Sequence, residues 1–108
     1  MAVRRPVTTP VALSAVAAEL SLAVSGDVLI SGITHDSRDV MQGDLYVAIP
    51  GMKNHGIEFL SQALANGAVA VASDEHGVAL ASQQEIPTIT LVQPRRDMAL
   101  LAATVFGH

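Results

Sequence analysis

The sequence has no cysteine. That excludes a disulfide framework, a thiolate zinc site and a cysteine nucleophile. Aromatic residues are scarce: one Tyr, two Phe and no Trp. The stacking platforms that hold single-stranded nucleic acid are therefore missing. Positive charge is in the minority, with 6 Lys and Arg against 10 Asp and Glu and a net charge of −4. A nucleic-acid partner needs a basic face, so none is expected. No apolar run approaches the ~20 residues that span a bilayer. The opening Met1-Ala2-Val3-Arg4-Arg5-Pro6 has charge with no apolar stretch behind it, which does not resemble a secretory signal. No membrane partner is expected, and a cytoplasmic location is the default expectation. Several catalytic signatures are also missing: a GxxxxGK[ST] phosphate loop, a GxGxxG turn and a GxSxG elbow. His35, His55, His76 and His108 are too far apart to form a metal-spaced pair.

What remains is an aliphatic chain of 108 residues, 50% hydrophobic and 15% charged. That length and composition suit one ordered domain with a core of Ala, Val and Leu. Residues 1–10 carry two Arg and two Pro without periodicity and are expected to be a flexible lead-in. Residues 11–108 are expected to form the domain. Leu13, Val16, Ala17 and Leu20 keep helical spacing, and residues 28–34 and 45–49 read as strands. The second run is almost wholly apolar, as in a strand covered on both faces. Ile57, Leu60, Ala63 and Leu64 begin another helical face, which Asn66-Gly67 should stop. Strands at 68–72 and 86–92 then alternate with helices at 75–84 and from Pro94 onward, ending at Gly107. The expected fold is α/β: one three-layer domain with a mixed, partly parallel sheet of four to five strands and helices on both faces. Strands 28–34 and 45–49 are expected to be adjacent, as a hairpin joined by a loop.

Two polar segments stand out. Thr34-His35-Asp36-Ser37-Arg38-Asp39 directly follows an apolar strand. It reads either as a turn, with Arg38 paired to an acid, or as a ligand site beyond a strand end. Gly51-Met52-Lys53-Asn54-His55-Gly56 runs into a helix start. It reads either as a mobile connection or as a diphosphate cradle, where Lys53 reinforces the positive end of the helix dipole. His76 reads as a solvated helix residue, Arg95-Arg96-Asp97 as a surface salt bridge, and Met41, Met52 and Met98 as gap-fillers.

The ordered string Thr34-His35-Asp36-Ser37-Arg38, Gly43-Asp44-Leu45-Tyr46-Val47-Ala48-Ile49-Pro50-Gly51, Gly56, Phe59, Ala63 and Gly67-Ala68-Val69-Ala70-Val71 resembles the N-terminal domain of the Mur ligases. These are ATP-dependent amino-acid-adding enzymes of peptidoglycan synthesis. The ending, with Pro94-Arg95-Arg96-Asp97-Met98 and Phe106-Gly107-His108, is similar to the MurE type. The resemblance implies a ligase that adds a diamino acid, meso-diaminopimelate or lysine, to UDP-N-acetylmuramoyl-L-Ala-D-Glu. It implies that this domain binds the UDP end of that substrate. The contacts it implies are His35, Ser37, Met52, Lys53 and Asn54, with His55 close by and Thr34 and Arg38 as secondary candidates. It implies no catalytic or metal-binding residue in these 108 positions. The ATP loop, a carbamylated lysine, magnesium and the amino-acid site are expected on further domains of a parent enzyme, which makes the missing ATP-binding domain a partner. The family commonly has Pro at the position of Gln42 and Asp at that of His55. Two alternatives stand beside this reading: a MurF-type parent that adds D-Ala-D-Ala, and an interaction domain without a ligand.

Overall fold

A computed structural model describes residues 9–51 and 54–106. The expected helix stop at Gly107, Met52 and Lys53, and most of the expected lead-in lie outside the described residues. In chain order the elements are β1 (Val11–Ala12), α1 (Leu13–Glu19), β2 (Ala23–Ser25), β3 (Leu29–Ile30), β4 (Gly32–Thr34), β5 (Asp44–Ala48), α2 (Leu60–Ala65), β6 (Ala70–Ser73), α3 (Glu75–Ala81), β7 (Thr88–Thr90) and α4 (Pro94–Phe106). Short 3-10 turns at Ser37–Asp39, Gly56–Phe59 and Ser82–Gln84 follow β4, precede α2 and extend α3.

The main sheet has five strands in the order β2-β7-β6-β5-β4, and β1 pairs with β3 beside it. The strands β4, β5, β6 and β7 run parallel, and only β2 is antiparallel, on β7. The mixed α/β sheet expected from sequence is present. Two expectations need correction. Residues 28–34 are not one strand: the chain turns at Ser31, whose N–H donates to Gly43 O at 2.9 Å, and divides into β3 and β4. Nor do β4 and β5 form a hairpin, because they pair in parallel, with Gly32 opposite Asp44 and Thr34 opposite Tyr46.

Alternation along β5 makes two cores. Leu45 and Val47 pack with Leu13, Val16, Leu101 and Val105 of α1 and α4. Tyr46 and Ala48 pack on the other face with Leu60, Ala63 and Ala81 of α2 and α3. All five residues of β5 are buried, as a strand covered on both faces requires. Carboxylate side chains set two of the helix starts. The α1 cap residue, Ala12, has no capping side chain, so Asp27 supplies one across the turn. Ser14 N–H and Ser14 Oγ donate to its two carboxylate oxygens at 3.0 and 2.7 Å. Asp74 caps α3 by accepting from Gly77 N–H at 2.8 Å. Gly67 closes α2 with φ +115°, and a Cβ there would lie 2.6 Å from Gln42 Cα. Only glycine fits that turn.

Candidate functional site

Because β4 and β5 are parallel, both polar segments leave the same edge of the sheet. Thr34 ends β4, Ala48 ends β5, Ser73 ends β6 and Thr90 ends β7. Ligands of open α/β sheets bind beyond this carboxyl edge. A cavity of about 500 Å³ lies there. His35, Ser37 and Arg38 line it from the first polar segment, and Gly51 and Asn54 line it from the second. The hairpin expectation placed these segments at different strand ends; the parallel register brings them together.

The first segment is a knot of local bonds. Asp36 N–H donates to Thr34 Oγ1 at 3.2 Å, and Asp36 accepts from Arg38 N–H at 2.9 Å. Arg38 then grips the same carboxylate with Nε and Nη2, at 3.0 and 2.9 Å. This guanidinium fork, helped by the Arg38 N–H, holds the Asp36 carboxyl down to about 2, against the smaller opposing effect of burial. The knot is tied to α2 as well. Ser37 Oγ donates to Gln62 Oε1, and Asn66 Nδ2 donates to Ser37 O at 2.9 Å. Ser37 is buried and held from both its side chain and its carbonyl, while His35 stands exposed at the rim.

Backbone bonds staple the second segment. Gly51 N–H donates to Asn54 O and Gly56 N–H to Ile49 O, both at 2.9 Å. A Cβ on Gly51 would lie 2.8 Å from Asn54 O, so a larger residue at 51 would crowd that carbonyl. Tyr46 Oη reaches up from β5 and donates to Gly56 O at 2.7 Å. Burial, with the Asp36 charge second, pushes the Tyr46 phenol up to about 12.

His55 is turned to another task. Its Nδ1 accepts from Ile57 N–H at 3.0 Å, which caps the turn before α2. Nε2 therefore carries the proton and donates to Asp74 Oδ2 at 3.0 Å. Asp74 lies below the usual carboxylate range: burial opposes this, but the Gly77 N–H and the His55 ring outweigh it. His55 thus joins the loop to the start of α3 and does not line the cavity. Thr34 does not line it either, since its hydroxyl serves the knot. His76 is exposed, with its ring centroid 5.8 Å from that of His55.

Sequence reasoning missed Tyr46, Gln62 and Arg95 as lining residues. Arg95 carried a legible signal, because it follows a strand end on the same edge. The expected salt bridge forms between Arg96 and Asp97 at 3.3 Å, but its acid is not at the surface: Asp97 is only 2% exposed. Asp97 Oδ2 accepts from Val92 N–H and Gln93 N–H at 2.9 and 3.0 Å, which fixes the start of α4. Burial works to raise the Asp97 carboxyl, but these two N–H groups and Arg96 outweigh it and hold it low.

Among the described residues no three His, Asp or Glu side chains cluster to hold a metal ion. No helix among them is long and apolar enough to cross a membrane.

A family model described as Mur ligase family, catalytic domain, matches residues 29–104. The chain is 44% identical over 97 residues to the UDP-N-acetylmuramoyl-L-alanyl-D-glutamate--2,6-diaminopimelate ligase of Streptomyces coelicolor, covering 89% of this chain and 19% of that protein. The protein of the same name from Streptomyces avermitilis is 48% identical over 82 residues, 76% of this chain and 16% of its own length. A crystal structure of MurF from Acinetobacter baumannii superposes with a TM-score of 0.66 at 19% identity, over 87% of this chain and 20% of that one. That likeness concerns the fold alone. The chain spans about a fifth of the length of the curated relatives it matches. With the match running from β3 through most of α4, and so across both cavity-lining segments, the chain belongs to the Mur ligase family.

Proposed function

We propose that this domain holds the nucleoside diphosphate end of UDP-N-acetylmuramoyl-L-alanyl-D-glutamate for a ligase that adds a diamino acid in peptidoglycan synthesis. The observation that carries this reading is the convergence of the two polar segments on one cavity at the carboxyl edge of the sheet. The names of the Streptomyces relatives support the choice of substrate. In this reading Ser37 and His35 meet the uridine, and Gly51 and Asn54 meet the diphosphate. Met52 and Lys53 are assigned there through the family resemblance, Lys53 as a charge. Binding energy spent on this remote end positions the reacting carboxyl elsewhere in the enzyme.

The family relation also implies ATP and magnesium. The sequence has no phosphate loop, and the described residues offer no cluster of three acidic or imidazole donors. Neither group fits here, and no step in this domain is routed through them. The proposal places both on other parts of a cytoplasmic parent enzyme.

Calorimetric titration with UDP tests the site. Ser37→Ala and Asn54→Ala should each weaken binding by about 1 kcal/mol, the net value of a hydrogen bond. Lys53→Ala should cost about 1–2 kcal/mol, as a charge-assisted contact. Wild-type affinity in all three variants would refute the assignment.

A further inference from the structure

Among the described residues three guanidinium groups stand near the carboxyl edge, and two are already engaged. Arg38 spends Nε and Nη2 on Asp36. Arg96 directs Nε and Nη2 at Asp97 Oδ1, at 3.4 and 3.3 Å. The Arg95 side chain is exposed and makes no hydrogen bond or ion pair among the described residues. It lines the main cavity, and with Pro50 it also lines an adjoining cavity of about 370 Å³. Arg95 therefore stands where the two spaces meet. Asp36 is the one carboxylate among the described residues that line the main cavity, and Arg38 already offsets its charge. The cationic side chain left to compensate a ligand's charge, among the described residues, is Arg95.

At the start of α4 the Val92 and Gln93 N–H groups donate to Asp97 Oδ2. The same carboxylate fixes the backbone that carries Arg95, and Leu101 and Val105 anchor the rest of α4 in the core. The guanidinium fork thus hangs from a rigid base with all its donors available. That geometry suits bidentate contact with phosphoryl oxygens.

We propose that Arg95 meets the phosphoryl groups of the ligand and sets the preference for a charged nucleotide over the bare nucleoside. The assignment rests on the cavity being a nucleoside diphosphate site, and it adds to that site a residue from the opposite helical layer. It gives Arg95 a role in binding and selectivity, with none in covalent chemistry.

The test is a titration of wild type, Arg95→Ala and Arg95→Lys with uridine, UMP and UDP at low and high salt. Wild type should prefer UDP to uridine, and the preference should shrink with salt. Arg95→Ala should weaken UDP about tenfold and leave uridine unchanged, which also shows that the variant is folded. Arg95→Lys should fall between the two, since it keeps the charge and loses the fork. Unchanged UDP affinity in Arg95→Ala would overturn the assignment and leave the cavity reading intact. Equal loss of uridine and UDP would also overturn it, because that marks a structural role. Wild type that binds neither ligand would refute the cavity reading, and this assignment with it.

Discussion

Replacing Tyr46 by Phe removes one hydroxyl from beneath the cavity loop and leaves the ring in place. That ring is 1% exposed and packed in the α2–α3 core. Its hydroxyl donates to Gly56 O at 2.7 Å, and Gly56 is the residue where the loop turns into α2. The loss exposes an acceptor that was satisfied. A fully sealed carbonyl would cost up to ~3 kcal/mol, but Gly56 lines an open cavity where water can replace the phenol. The expected destabilisation is therefore about 1 kcal/mol. For a domain of this size that lowers the melting temperature by about 4–8 °C. Thermal unfolding followed by circular dichroism at pH 7 measures it. An unchanged melting temperature would refute the anchoring role.

The same phenol supplies a pH test, because Tyr46 is the one tyrosine and Trp is absent. Its ionisation, read at 295 nm, should have a midpoint near 12 in the folded protein and near the ordinary value of about 10 in denaturant. The neutral phenol is favoured in the fold, so the folded state keeps its proton longer. The stability this gives is complete below about pH 10 and is lost as pH rises toward 12. Tyr46→Phe should lose that part of the alkaline pH dependence. Asp36 behaves in the opposite sense: its carboxyl, held at about 2, contributes stability above the usual aspartate value that is lost as pH falls toward 2. Arg38→Gln should move the Asp36 midpoint, followed by carboxyl carbon shifts, up toward about 4. Gly77→Ala should cost about 1–3 kcal/mol in denaturant unfolding, because the new Cβ would run into the Ser73 side chain, whose hydroxyl donates to Ala48 O at 2.6 Å. Leu101→Ala, at a fully buried position between α4 and the sheet, should cost about 2–5 kcal/mol in the same assay.

The parts of the fold that sequence revealed are those with a strong local pattern. The apolar run of β5 announced burial on both faces, and Gly67 announced the end of α2. The direction of β4 against β5 was hidden. Parallel strands usually need a crossover of a dozen or more residues, commonly a helix. Here residues 35–43 make the crossing with little more than one 3-10 turn, so the segment looked like a loop between neighbours. Strand β2 was hidden for another reason: its three residues are all exposed, and only pairing with β7 defines it. In the site, the knot at Asp36 and Arg38 was legible because its bonds are local. The Ser37–Gln62 bond links residues 25 apart and was not. His55 stood close to the ligand through the family resemblance, and its partners are Ile57 and Asp74. The division of labour between Arg95 and Arg96 depends on how α4 is rotated, which neighbouring positions in a sequence do not disclose.

The most direct test of the central claim is an amide chemical-shift titration of the labelled chain with UDP, with ATP as the control and the full UDP-muramoyl dipeptide as the second ligand. Shifts clustered at residues 34–38 and 51–57 with UDP, absent with ATP, are the predicted result. The full substrate should move the same amides. Silence at both segments with UDP and with the dipeptide substrate, or equal shifts with ATP, would contradict the account.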